Sequence, residues 1–232
     1  MSRTEGRFEG TCSVRIADVL ALVRDDRLRA ALGLGEDATA DRALALLRST
    51  ERLQAALVAR VCGTVPTPED AGGFGCDEAD DSLLKANADE LRDIGRHAAA
   101  LRLAPLIRRT VCGDGVRRLT RALGERAFAS ALLVRPGTTE ACDATLEGAE
   151  DEPARCLRAW RVGLGEPLAM LVLWRFGADD PFGIDERSAS GADADRVDAM
   201  REAARIVRDV PHVGNAAAPE REIADPPSEL AA

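Results

Sequence analysis

Residues 167–176 read PLAMLVLWRF, and how this stretch folds decides the class of the whole chain. Apolar side chains fill nearly every position, so neither a helical nor a strand period stands out, and a buried helix and a buried strand fit alike. A strand needs a neighbouring strand to satisfy its backbone, and a lone one has nothing to pair with. Composition points the same way. The 232 residues include 42 Ala and 30 Arg but five Phe, two Trp and no Tyr, which favours helix over sheet. The run is therefore read as a helix and the chain as all-α, an irregular helical bundle. With aromatics at 3%, base-stacking platforms and sugar-binding aromatic clefts are excluded as well.

Working outward, Gly163-Leu164-Gly165 closes a preceding helix that begins near Pro153 and carries Leu157 and Trp160 on one side. Downstream, 177–195 is an acidic loop, and Val197, Met200, Ala204 and Val207 mark a last amphipathic helix. Residues 211–232 read as a disordered acidic tail. Upstream of an acidic linker at 136–152, Val116, Leu119, Leu123, Phe128, Leu132 and Leu133 build one apolar face, which Gly124 is placed to split into two short helices. Before them, Leu84, Ala88, Leu91, Ala98 and Leu101 follow three- and four-residue steps from a cap at Ser82. Gly95, Ala98 and Ala99 leave room for a second helix, and Pro105 is expected to kink or restart this one. Ile16 to Leu28 predict one helix, interrupted at Gly33-Leu34-Gly35. Leu44 to Val61 predict another, capped by Asp37 or Thr39 and closed by Gly63. The chain thus divides into a helical segment 1–63, an acidic loop 64–82, a helical core 83–210 and the tail.

The net charge of −9 is spread unevenly. Residues 64–82 hold six acids and no base, and the tail carries four acids against Arg221. These two segments repel nucleic acid and anionic membrane. Residues 102–126 run the other way, with seven Arg against Asp114 and Glu125. No apolar core marks Met1 to Gly10 as an export signal. The longest charge-free apolar run, Leu168 to Trp174, falls far short of the ~18 residues of a membrane span. Six Cys without CxxC spacing read as reduced, mostly buried thiols, and the expected compartment is the cytoplasm.

Catalytic and metal-binding patterns are weak. The acidic run Asp77-Glu78-Ala79-Asp80-Asp81 lacks the alternating oxygens, central Gly and final Glu of a calcium loop, so it reads as a solvated loop with helix-start charges. A metal-dependent helical enzyme built on those carboxylates is an alternative that requires a bound cation. Cys62, Cys76, His97 and Cys112 have the ligand types for zinc, but not the short pair spacing by which one turn presents two ligands. A Cys112–His97 nucleophile pair has nothing else to support it, and a packed His97 is the simpler reading. Neither glycine cluster, at 33–35 or 72–75, fits a phosphate loop or a dinucleotide fingerprint. Trp160 and Trp174 read first as core, with an exposed interface anchor as the other option. A DNA-binding regulator using 116–133 is a further alternative, yet Glu125-Arg126-Ala127-Phe128-Ala129-Ser130 is poor in base-reading groups.

One feature favours a functional reading. Arg108, Arg109, Arg117, Arg118 and Arg121 form a basic face suited to an acidic protein partner, because the planar guanidinium fork pairs with carboxylates. The same face could instead be solvated and paired with the chain's own acids.

Two stretches, 91–134 and 154–176, resemble the type III secretion accessory protein K family, the sorting-platform adaptors that include relatives of rhizobial nodulation protein U. The likeness lies in a small-residue helix, then a basic segment running into Leu-x-x-x-Leu-Gly-x-x-Ala-x-x-x-Ala-Leu at Leu119 to Leu132. A Trp-containing helix, Leu157 to Trp160, and the run from Pro167 follow. The resemblance implies a mostly helical, non-enzymatic cytoplasmic adaptor without catalytic residues, metal or cofactor. It would bridge the cytoplasmic domain of the inner-membrane ring to the pod-forming switch protein, peripheral to the membrane through those partners.

Overall fold

A computed structural model describes residues 12–62, 74–76, 78–133, 145–164, 166–176 and 193–209. Their architecture is all-α. The expected tail at 211–232, most of the acidic loop at 177–195 and much of the linker at 136–152 lie outside the described residues.

The axle is a 22-residue helix, α6 (Ala88–Arg109). Its start is a capping box: the Asn87 side chain accepts from the Asp89 and Glu90 amides, and Glu90 accepts from the Asn87 amide at 2.7 Å. The cap is therefore Asn87 and not Ser82, which sits inside a separate helix, α5 (Glu78–Lys85). Pro105 lies within α6, and the helix runs through it without restarting. Buried residues appear on nearly every side of α6, from Leu91, Ile94 and Ala98 to Leu103 and Ile107. Four helices surround it: α7 (Gly113–Leu123), α8 (Glu125–Leu133), α9 (Glu152–Gly163) and α11 (Ala194–Asp209). Gly95 performs its expected role, since a Cβ there would stand 3.3 Å from the Pro153 carbonyl oxygen of α9.

The decisive run is helical. It forms α10 (Glu166–Leu173), with Leu168, Leu171 and Val172 buried and Phe176 buried just beyond. Against α10 pack two of the N-terminal helices, α1 (Ile16–Leu20) and α4 (Glu51–Cys62). Here the structure corrects two expectations. The predicted helix through Ile16–Leu28 is two, α1 and α2 (Asp25–Leu32), and the stripe through Leu44–Val61 is also two, α3 (Ala38–Ser49) and α4. Arg48 closes the first break by donating to the carbonyls of Ala21 and Val23, both at 3.0 Å, and to Asp25. At the second, Thr50 is extended (φ −123°, ψ 104°), and Gln54 donates to the Arg48 carbonyl at 2.9 Å. Of the two candidate caps for α3, Asp37 serves, accepting from the amides of Thr39 and Ala40.

The stretch read as loop 64–82 also changes at its end, because residues 74–76 pair and α5 begins at Glu78. Two three-residue strands, β1 (Cys12–Val14) and β2 (Phe74–Cys76), run antiparallel with Ser13 opposite Gly75. They fasten the chain's start beside α5 without adding a layer. One contiguous set of buried apolar side chains extends from Val19 to Ala204, with Trp160, Phe176, Leu83, Leu119 and Met200 among its largest members.

Candidate functional site

Helix α7 is the most strongly two-sided element. Gly115, Leu119 and Leu123, spaced four residues apart, are buried, whereas Asp114, Arg117, Arg118 and Arg121 are exposed. It runs back along α6. Arg96, midway along α6, lies against Gly124 at the far end of α7, and Gly124 (φ 81°, ψ 151°) turns the chain into α8. Helix α8 then returns toward the end of α6, where Arg108 donates to the Ala131 carbonyl at 3.2 Å. The C-terminal ends of α6 and α8 and the start of α7 thus meet at one end of the molecule.

The five predicted arginines separate in role. Arg117, Arg118 and Arg121 line the outer face of α7. Of these, Arg117 pairs with Asp114, Arg118 with Glu150 at 2.8 Å, and Arg121 has no partner among the described residues. Arg109 is exposed at the end of α6, its Nε donating to the Pro105 carbonyl. Arg108 is half-buried and fastens α6 to α8, so it belongs to the packing more than to the ridge. Two of the arginines meet the chain's own carboxylates, and Arg109 and Arg121 face solvent. Three aliphatic side chains that the sequence pattern sets on apolar faces, Val111 after Leu106 and Ile107 and the pair Leu132-Leu133, are exposed instead. Val111 is 92% exposed, Leu132 51% and Leu133 85%.

A second constellation is buried, and the sequence reading missed it. Glu152, read as part of an acidic linker, occupies the first turn of α9 and is 4% exposed. It accepts from Arg102 Nε at 2.9 Å and from both Nε and Nη2 of Arg196, at 2.9 and 3.1 Å. The bond to Glu152 raises the Arg196 pKa above its ordinary value. Cys156, one turn along, directs its thiol at the same carboxylate at 4.0 Å, and burial pushes that thiol's pKa up.

The acidic run at 77–81 is likewise corrected. Asp80 and Asp81 belong to α5 and are buried, not solvated. Asp80 accepts the indole N–H of Trp160 at 3.0 Å and a two-pronged contact from Arg201 at 3.1 and 2.7 Å, while Asp81 meets Lys85. Trp160 is therefore core, and Trp174 is half-buried. Arg175 is buried too and donates to the Leu84 and Ala86 carbonyls at the end of α5, at 2.6 and 2.7 Å. Desolvation lowers its pKa to about 10, and the carbonyl end of a helix dipole is a favourable place for its charge.

These polar groups hold helices to one another. The carboxylates of Glu152 and Asp80 are occupied by guanidinium and indole donors, and the adjacent thiol stays protonated. His97 is buried, its Nδ1 3.0 Å from the Asp93 carbonyl of its own helix. Cys112 is exposed at the cap of α7, contrary to the expectation of buried thiols, whereas Cys156 follows it. The side chains of Cys62 and Cys76 lie outside the described residues. Among the described residues, no three Cys, His, Asp or Glu gather as metal ligands, and no helix is long and apolar enough to cross a membrane. No family model, curated protein or solved structure matches the chain.

Proposed function

We propose that the protein is a non-enzymatic adaptor that docks other proteins on the arginine ridge of α7, with the end of α6 beside it. The observation that carries this reading is the outer face of α7, where Arg117, Arg118 and Arg121 are exposed over a fully buried inner face. A helix anchored this way presents its cations on a fixed spacing, and guanidinium forks in a row suit a surface of carboxylates. Dominance of packing roles among the buried ionisable groups supports a scaffold over a catalyst. The resemblance over 91–134 and 154–176 gives the finer reading: a subunit of a type III secretion sorting platform that links the cytoplasmic domain of the inner-membrane ring to the pod protein.

The test is co-purification with those two partners from the native host, comparing the native chain with Arg117→Glu/Arg121→Glu. Both residues are exposed, so the fold is expected to survive the change. The reversed variant is expected to lose most of the partner at low salt, and the native complex to weaken as salt shortens the Debye length below about 10 Å. Undiminished recovery of partners by the charge-reversed chain at low salt removes the ridge as the docking site.

A further inference from the structure

The ridge does not stand alone. The bond from Arg108 to the Ala131 carbonyl puts the ends of α6 and α8 side by side, so Val111, just past α6, and Leu132-Leu133, at the end of α8, share the end of the molecule where α7 starts. All three aliphatic side chains face water. Arg109 closes α6 beside them, Arg117 stands one turn into α7, and Arg121 lies one turn further along toward Gly124.

We propose that this end binds an acidic amphipathic helix of a partner protein. Its aliphatic stripe covers Val111, Leu132 and Leu133, and its carboxylates, one turn apart, meet Arg109, Arg117 and Arg121. This inference rests on the reading of α7 as a docking ridge and adds the chemistry of what docks.

Three physical points select this occupant. Carboxylates four residues apart on a helix repeat at the spacing of Arg117 and Arg121, so two helices laid together match charge to charge. A second copy of the chain is disfavoured, because a two-fold contact presents the same patch from both sides and brings one arginine row against another. Duplex nucleic acid is disfavoured by Asp114 and Glu150 within the ridge and by aliphatic side chains where phosphates would lie.

The measurement is fluorescence anisotropy with labelled synthetic helices. One carries a Leu stripe flanked by Glu, a second has the same composition in scrambled order, and a third replaces Glu by Lys. The striped acidic helix is expected to bind in a salt-sensitive way, roughly tenfold tighter than the scrambled one, with the Lys helix not binding. Val111→Ser/Leu133→Ser, both at exposed sites, is expected to weaken binding about tenfold while leaving the salt dependence unchanged. Arg117→Glu/Arg121→Glu is expected to abolish it. Equal binding of the striped and scrambled helices, or none lost in the Val111/Leu133 variant, overturns the inference and leaves the ridge reading standing. Indifference to arginine reversal removes both. A dimer that the Val111/Leu133 substitutions dissolve, or tight binding of duplex DNA, also overturns it. So does peptide binding that appears only after Glu220→Gln, Glu222→Gln, Asp225→Asn and Glu229→Gln, which would make the chain's own terminus the occupant.

Discussion

Cys156 keeps its proton because it has nowhere favourable to put a negative charge. It is fully buried, and its nearest polar neighbour, Glu152, already carries one. The folded thiol therefore titrates above its ordinary value of 9.0, while the unfolded chain releases the proton near that value. Above pH 9.0 the folded state binds more protons than the unfolded one, so this group's contribution to stability is complete below that pH and falls as pH rises. Arg175 has the opposite sign. Its pKa is lowered from the usual guanidinium range to about 10, so from about pH 10 upward the unfolded chain holds the extra proton and stability rises with pH. Between pH 9.0 and about 10 the loss at Cys156 outweighs the gain at Arg175, which is half deprotonated at the upper limit. Apart from the other five cysteines, few groups titrate there, since the chain has no Tyr and a single lysine, Lys85. Urea unfolding across this window is expected to show stability falling with a slope of about half the ~1.4 kcal/mol per pH unit of one whole proton. Cys156→Ala should flatten that slope. An unchanged slope in the variant assigns it elsewhere.

Among the elements, local patterns were legible where one residue alone settles a boundary. Gly124 between two apolar faces, Pro153 at the first turn of α9 and the stepped apolar residues of α11 could all be read from the chain. The breaks at Ala21–Arg24 and Thr50 could not. No Gly or Pro marks either one, and what holds the first open is Arg48, more than twenty residues away, donating to Ala21 and Val23. Helix α5 escaped notice for a related reason: its acids suggest solvent until Trp160, Arg201 and Lys85 are brought to them. Gly124 provides the test at this scale. A Cβ there meets nothing closer than Arg96 Cδ at 3.9 Å, so Ala is admitted by space but not by its backbone, held at φ 81° and ψ 151°. That region is essentially reserved for glycine, and Gly124→Ala is expected to cost about 1–3 kcal/mol. Urea midpoints of the two proteins measure it. A cost near zero means that α7 and α8 can merge or turn in another way.

At the scale of the whole molecule, the buried charges join parts of the chain that no local pattern connects. Glu152 and Arg196 are 44 residues apart, Asp80 and Arg201 are 121 apart, and both arginines lie on α11. The chain's abundant arginine closes helix ends and neutralises buried acids. The basic ridge was readable because its residues are neighbours in one helix; the ionic core was not, because its partners are distant. The same distribution bears on whether the N-terminal helices form a unit of their own. Helix α10 packs on α1 and α4 as well as on α9, and the Arg24 amide donates to the Trp174 carbonyl at 3.2 Å. The buried apolar set has no gap between these helices and the rest. If the chain unfolds as one unit, damage at one end must register at the other. Arg48→Ala removes the two carbonyl contacts between α1 and α2 and the pairing with Asp25, a loss of about 1–2 kcal/mol. With Trp174→Phe as background, Trp160 in α9 is the sole indole and reports the opposite side of the core. Its fluorescence midpoint in urea is expected to fall by the same free energy as the far-UV circular dichroism midpoint. A Trp160 transition that stays in place while part of the helical signal melts early would show that residues 16–62 fold independently of the core that carries the ridge.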